Sequence, residues 1–281
     1  MREIEASLIT KTVKELFLKA NIHLPTDTEE KLKSAYASED SSMGKTALLT
    51  AVENLKIADK LEMPICQDTG MAVVFCDVGQ EIRIIGGSFE DAINEGVSLA
   101  YREGYFRCSV VDDPLFERKN TGNNTPAVIH TRIVSGDKIR LTVEPKGFGS
   151  ENMSQIRMFN PSITKKEIVD FVTDAVKSAG GNPCPPVVVG IGIGGTFDYA
   201  AVLAKKALAR KISEHNKNPR YAELEEEILS ALNNTGIGPQ GFGGKITALG
   251  VSIEYYPTHI AGLPVAVNIN CHVARHAEAE I

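Results

Sequence analysis

Three cysteines stand where a thiol can do chemistry. Cys66 lies in Pro64-Ile65-Cys66-Gln67-Asp68-Thr69-Gly70, Cys184 in Asn182-Pro183-Cys184-Pro185-Pro186, and Cys271 in Asn268-Ile269-Asn270-Cys271-His272. Each falls at a strand mouth or a rigid turn, where functional groups usually sit on a scaffold. Soft thiolates favour zinc or iron–sulfur centres. Spacings of 118 and 87 residues exclude the close pairs of a zinc ribbon. Ligands from three distant loops suit a cubane cluster with one iron left without a protein ligand, free to act as a Lewis acid. The competing reading is three small buried hydrophobes, a common state for free cysteine. Cys76, in Val73-Val74-Phe75-Cys76-Asp77-Val78, fits that reading well, and so does Cys108 beside Arg107.

Two glycine patterns also call for a chemical reading. Gly190, Gly192 and Gly195 satisfy G-x-G-x-x-G between a strand and a helix. A dinucleotide site further needs a second parallel strand ending in an acidic residue about 20 positions on. That region, Arg210-Lys211-Ile212-Ser213-Glu214-His215, is instead the basic end of a helix. Gly241-Phe242-Gly243-Gly244-Lys245-Ile246 fails as a phosphate loop, because its first glycine is misplaced and no Ser or Thr follows the lysine. Tight turns and close packing are the better use of these glycines.

The elements that must position these residues follow from periodicity. Ile4, Leu8, Val13, Leu16 and Phe17 predict an opening helix, with further helices over about 29–36 and 42–61, stopped by Pro64. Residues 71–78 read as a buried strand. Ser88-Phe89-Glu90-Asp91 predicts a capping box for a helix to about Tyr101. Residues 127–134 and 138–144 flank the turn Ser135-Gly136-Asp137 as a hairpin. Thr164-Lys165-Lys166-Glu167 opens another helix, closed by Gly180-Gly181. A strand over 187–193 precedes helices over about 196–213 and 223–232, and strands over 246–255 and 264–270 finish the chain. Strands and helices alternate irregularly, with no repeat and no long linker. That pattern predicts a mixed α/β (α+β) fold, mixed β-sheets flanked by helices, as a single domain over 1–281.

Composition narrows the function classes. The chain has 281 residues, of which 43% are hydrophobic and 23% charged, so wholesale disorder is excluded. A net charge of −6 leaves no basic face for nucleic acid. No apolar run approaches the roughly 20 residues needed to cross a bilayer. The opening Met1–Phe17 segment lacks the layout of a secretory signal. Five scattered cysteines argue against a disulfide framework. A cytoplasmic protein is expected.

Five segments together resemble one family. They are Pro64–Gly70, Lys146–Ser154 (KGFGSENMS), the Asn182–Pro186 turn, Val189–Ala200 (VGIGIGGTFDYA) and Tyr255–His276. Long and mutually ordered, they resemble the class I fumarate hydratases and their close relatives, the L-tartrate dehydratases, over nearly the whole chain. The match is to the N-terminal catalytic half, which in two-component members is the separate alpha subunit. The resemblance implies that Cys66, Cys184 and Cys271 hold an oxygen-sensitive [4Fe–4S] cluster whose fourth iron binds substrate. It implies Asp68 as acid–base carboxylate with His259 as its partner, and Gln67, Arg107 and Gly149 as substrate contacts.

The chemistry agrees with that assignment. Dehydrating a 2-hydroxydicarboxylate needs a proton for the leaving hydroxide, and an arginine fork can fix one end of a C4 dicarboxylate. Taken alone, Asp68 is also an ordinary turn residue, Arg107 an ordinary surface arginine and His259 an ordinary structural histidine. His272 and His276 could shape the surroundings of Cys271 or simply share a helix face. The resemblance further implies a beta subunit completing the active site, in an assembly of two alpha and two beta chains, since this sequence ends ten residues beyond Cys271. Fumarate and S-malate are the first-choice substrates, with L-tartrate as the alternative. A non-catalytic cluster scaffold or sensor is more remote, because it would have no need of Gln67, Asp68, Arg107 and His259.

Overall fold

The structure, a computed structural model, describes residues 1–281. Strand β1 (Arg2–Glu5) leads into helices α1 (Ala6–Ile22), α2 (Thr26–Ser38) and α3 (Ser42–Leu61). There follow β2 (Met71–Gly79), β3 (Ile82–Ile85), α4 (Phe89–Glu103), β4 (Val128–Val134) and β5 (Ile139–Lys146). Next come α5 (Phe148–Glu151), β6 (Gln155–Phe159), α6 (Lys165–Ala179), β7 (Val187–Gly194) and α7 (Phe197–Leu208). The chain finishes with α8 (Pro219–Asn233), β8 (Ala248–Tyr256), β9 (Leu263–Asn270) and β10 (Ala277–Glu280). This is the mixed α/β class that the pattern predicts, with mixed sheets flanked by helices. No helix is long and apolar enough to cross a membrane.

Contacts gather the chain into two compact units, each built from discontinuous segments. The first comprises Met1–Pro25, Leu55–Phe148 and Arg275–Ile281. Its sheet runs β10-β5-β2-β4, with β2 parallel to β4 and antiparallel to β5. Val73, Val74 and Cys76 on β2 are buried, so this strand occupies the interior of the sheet. Ile9, Val13, Leu16 and Phe17 of α1 and Ile93, Val97 and Ala100 of α4 complete one core with Val74, Leu141 and Val143. Val13, Leu16 and Phe17 of the expected stripe are buried on α1, whereas Leu8 is exposed and Ile9 takes its place; Ile4, also buried, belongs to β1, since the helix starts only at Ala6.

The expected hairpin does not form. β4 and β5 each pair with β2, which lies between them, and the 135–137 turn straddles the end of β2 through Gly79 N–H to Lys138 O and Gln80 N–H to Val134 O. Alternation reveals a strand but not its partner. The apolar β2 takes two neighbours, while β4, exposed at Thr131, Arg132 and Ile133, is left at the edge.

The second unit comprises Thr26–Asn54 and Gly149–Ala274, with the sheet order β6-β9-β7-β8. All eight residues of β7 are buried, as befits a strand covered on both faces. Helix α7 packs against it at backbone distance. A Cβ built on Gly190 would lie 2.2 Å from the Ala204 carbonyl oxygen, and one on Gly192 would lie 2.0 Å from that of Ala200. Those glycines of the G-x-G-x-x-G pattern therefore serve helix-on-strand contact. α6 and α8 close the core with Val172, Val176, Ile228 and Leu232. The Thr164 capping box forms in both directions, whereas Ser88 only accepts the Asp91 N–H. α7 ends at Leu208 and α8 begins at Pro219 behind an Asn218 cap, so the expected helix over 196–213 is shorter and that over 223–232 longer. β1, β3, β6 and β10 are short and carry charged or polar residues, which hid them from a periodicity test.

Candidate active site

In the first unit the turn Cys66–Gly70 joins α3 to β2. Cys66 and Asp68 are half-buried and Gln67 is exposed, while Thr69 and Gly70 are buried. Each oxygen of the Asp68 carboxylate is held: Gly70 N–H donates to Oδ1 at 3.0 Å and Phe148 N–H donates to Oδ2 at 2.9 Å. Gly70 permits this packing, since with φ +80° its Cβ position lies 2.6 Å from the Pro145 carbonyl carbon. Thr69 Oγ1 donates to the Arg107 carbonyl at 2.9 Å, so the exposed Arg107 is tied to the residue after Asp68.

Buried side chains fix the main chain of this turn. Tyr101 Oη donates to the Thr69 and Gly70 carbonyls at 2.6 and 2.8 Å, and burial raises its phenol pKa. The phenol therefore stays a protonated donor. Asn124 Nδ2 donates to Gly70 O at 3.1 Å, while its Oδ1 accepts the Ser109 N–H at 2.8 Å. Arg275 donates from Nη2 to Asp68 O and from Nε to Pro145 O. Lys146 is also fully buried and donates to Gly147 O at 3.3 Å.

The second unit holds Gly149, Cys184, His259 and Cys271. Gly149 is exposed in α5, and no atom lies closer than 3.8 Å to its Cβ position, so its backbone is open to an approaching group. α5 is anchored by Glu151, which accepts from Lys205 Nζ at 2.5 Å and from Asn268 Nδ2 at 2.7 Å. Cys184 is exposed at φ +53° in the turn before β7, and Cys271 is half-buried just after β9. Their backbones adjoin: His272 N–H lies 3.4 Å from Cys184 O and its Nδ1 lies 3.0 Å from the same oxygen. A carbonyl only accepts, so Nδ1 carries the proton. Gln240 reinforces the turn by donating its backbone and side-chain N–H groups to Pro185 O at 2.7 and 2.8 Å. Residues 271–276 are not helical, so His272 and His276 share no helix face. His259 is exposed in the loop between β8 and β9, and its Nδ1 accepts the Ala261 N–H at 3.1 Å.

A family model described as fumarate hydratase (Fumerase) matches residues 10–280. The chain belongs to the fumarate hydratase family. Among curated relatives, the Methanocaldococcus jannaschii protein named "Putative L(+)-tartrate dehydratase subunit alpha" is 44% identical over 278 residues, covering 96% of each chain. The L(+)-tartrate dehydratase subunit alpha of Escherichia coli K12 is 34% identical, over 95% of this chain and 88% of its own length. That of Escherichia coli UTI89 is 33% identical, over 97% and 90%. Family and relatives make this chain a hydro-lyase, of the alpha-subunit type.

Of the other two cysteines, Cys76 is set apart by burial, whereas Cys108 is half-buried on a loop, as Cys66 and Cys271 are, which departs from the buried state expected for it. Cys76 is 1% exposed in the first unit's core, and burial, with Asp77 adding to it, pushes its thiol up to about 12. A thiol of that kind neither ligates nor reacts. Cys108 is also raised by burial, and its Sγ lies 3.5 Å from Gly122 O. No three His, Cys, Asp or Glu side chains converge on a site for a single metal ion. Tyr101, Asn124, Lys146 and Arg275 were missed from the sequence. Tyr101 looks like one more large residue on the α4 stripe, and Arg275, though inside the Tyr255–His276 segment, carries no sign there of a buried donor to the Asp68 turn.

Proposed function

We propose that this fumarate hydratase family member is the alpha subunit of an iron–sulfur hydro-lyase for C4 2-hydroxydicarboxylates, with fumarate/S-malate as the preferred pair. One observation carries the reading: the Asp68 carboxylate is fixed two residues from Cys66, on the turn to which Arg107 is tied through Thr69. The donor chemistry fits a cluster, because the three loop thiols are reachable while the buried Cys76 is not. Cys66, Cys184 and Cys271 would hold a [4Fe–4S] cluster, which when bound supplies a Lewis-acid iron for the substrate hydroxyl.

The chain's own groups do the rest. Each Asp68 oxygen accepts one backbone N–H, which leaves lone pairs to carry the proton that departs with hydroxide or returns with water. His259 is the proposed partner of Asp68 in the companion proton transfer, taking up the carbon-bound proton on dehydration and returning it on hydration. Arg107 grips one substrate carboxylate through paired N–H groups, with Gln67 and the Gly149 N–H supplying further donors. A dianion needs donors at both ends. The reading therefore includes a beta subunit for the other end, in an assembly of two alpha and two beta chains in the cytoplasm.

A second reading, L-tartrate dehydration, is favoured by the names of the relatives at 33–44% identity. Anaerobic co-expression with the partner subunit, followed by assays on S-malate, fumarate, L-tartrate and mesaconate, tests both. Fumarate hydration with the highest kcat/KM supports the proposal, and L-tartrate dominance replaces it with the second reading. A brown, cluster-loaded complex that turns over none of them refutes both.

A further inference from the structure

We propose that Arg275 is a positioning residue for the Asp68 carboxylate, an inference that rests on the hydro-lyase reading above. Arg275 is 4% exposed, on the segment between β9 and β10. Its hydrogen-bond partners are main-chain carbonyls: Nη2 donates to Asp68 O, and Nε donates to Pro145 O at 3.2 Å. Nη1 is buried with no hydrogen-bond partner.

The two carbonyls belong to the two backbone segments that hold one carboxylate. Asp68 O belongs to the residue that bears it, and Pro145 leads through Lys146 and Gly147 to Phe148, whose N–H holds Oδ2. Gly70, which holds Oδ1, packs its Cα against the backbone of Pro145 and Lys146. One planar guanidinium thus ties the turn that supplies the acid to the end of β5, which leads to the Phe148 N–H that orients it. Burying a cation without a carboxylate partner carries a desolvation cost that an apolar side chain of equal volume would avoid. A flexible lysine cannot span both carbonyls with the same fixed angle. What Arg275 adds is a fixed direction for the carboxylate, and a reacting group displaced by about 1 Å can lose about 10²-fold in rate.

The test uses Arg275→Gln and Arg275→Lys in the cluster-loaded complex with the partner subunit, together with hydrogen–deuterium exchange on the cluster-free full chain. For Arg275→Gln we expect kcat to fall by about 10–10²-fold with KM changed less than about threefold. Amides of 66–70 and 146–149 should exchange roughly tenfold faster, with other regions unchanged. Arg275→Lys should recover part of both effects. Cys76→Ala, a core variant, should lower the melting temperature without altering kcat or local exchange. Normal kcat in Arg275→Gln within an active complex overturns the proposal, as does unchanged exchange at 66–70. Where Arg275→Gln does not fold, Arg275→Lys must show the same local pattern at smaller size or the proposal falls. A wild-type complex that is inactive on every dicarboxylate, while local exchange still rises in the variant, defeats the hydro-lyase reading and leaves Arg275 only a structural holder of the turn.

Discussion

Glu39 is a fully buried carboxylate outside the motifs named above, and replacing it should unsettle the second unit. Its Oε1 accepts N–H groups of Asp40, Ser41 and Lys245 at 2.9, 2.9 and 3.1 Å, and its Oε2 those of Lys245 and Ile246, each at 2.9 Å. This one side chain ties the α2–α3 turn to the 245–246 segment, which follows the loop whose Gln240 braces the Cys184 turn. Glu39→Gln preserves shape but turns an NH₂ group toward backbone donors. Hydrogen bonds to a charged acceptor contribute about 1.5–3 kcal/mol each. Asp40 and Ser41 can turn to water, so the loss falls on the Lys245 and Ile246 contacts, and about 2–3 kcal/mol is expected in all. For a cooperative unit of this size that lowers Tm by about 5–10 °C at neutral pH, read by circular dichroism on the full chain.

The pH dependence adds a second check on Glu39. Burial pushes its pKa up, but the N–H donors of Ser41, Ile246, Lys245 and Asp40 outweigh burial and hold it below 4.5. A folded-state pKa below the unfolded one means that the stabilisation is fully present above 4.5 and is lost as pH falls through the lowered value. The Tm gap between the native and Glu39→Gln chains should therefore be widest near neutrality and close in acid. A gap below about 1 °C at neutral pH, or one that persists undiminished to about pH 3, would refute the reasoning.

Asp68→Asn cannot carry a proton yet keeps its shape, so kcat should fall by about 10²-fold or more with cluster absorbance intact; near-normal turnover rejects the acid–base role. Arg107→Lys keeps the charge but loses the fork, and steady-state kinetics should show the larger change in KM. Iron and sulfide analysis should find no stable cluster in Cys66→Ala, Cys184→Ala or Cys271→Ala and full content in Cys76→Ala. Gly192→Ala drives a Cβ to 2.0 Å from the Ala200 carbonyl oxygen and should cost about 3 kcal/mol or more, seen as insoluble or unfolded chain. A soluble Gly192→Ala chain with unchanged Tm would overturn the packing account of the G-x-G-x-x-G pattern.

Some of this was legible in the sequence and some was not, for physical reasons. β2 and β7 are continuous apolar runs and announced themselves, as did the Thr164 capping box, because burial and capping act on adjacent residues. Which strand lies beside which was not legible: 127–134 and 138–144 alternate as hairpin arms do, but β2 enters between them. Nor were β1, β3, β6 and β10, whose four or five residues are held by pairing with distant segments rather than by their own periodicity.

The same division runs through the site. The loop cysteines Cys66, Cys184 and Cys271 could be nominated because a soft ligand must be a thiolate, whereas Gln67, Asp68, Arg107 and His259 came only with the family resemblance, since each taken alone is an ordinary residue. The residues that aim them face no such constraint. Tyr101, Asn124 and Arg275 all bind main-chain carbonyls, and every residue type offers a carbonyl, so no pairwise pattern in the sequence records the contact. Their donors come from α4, from a loop before β4 and from the segment after β9, all folded onto one turn of five residues. A turn has too few side chains of its own to hold a carboxylate still, and Gly70 contributes none at all. The rigidity of Asp68 must therefore be imported from buried donors elsewhere in the unit.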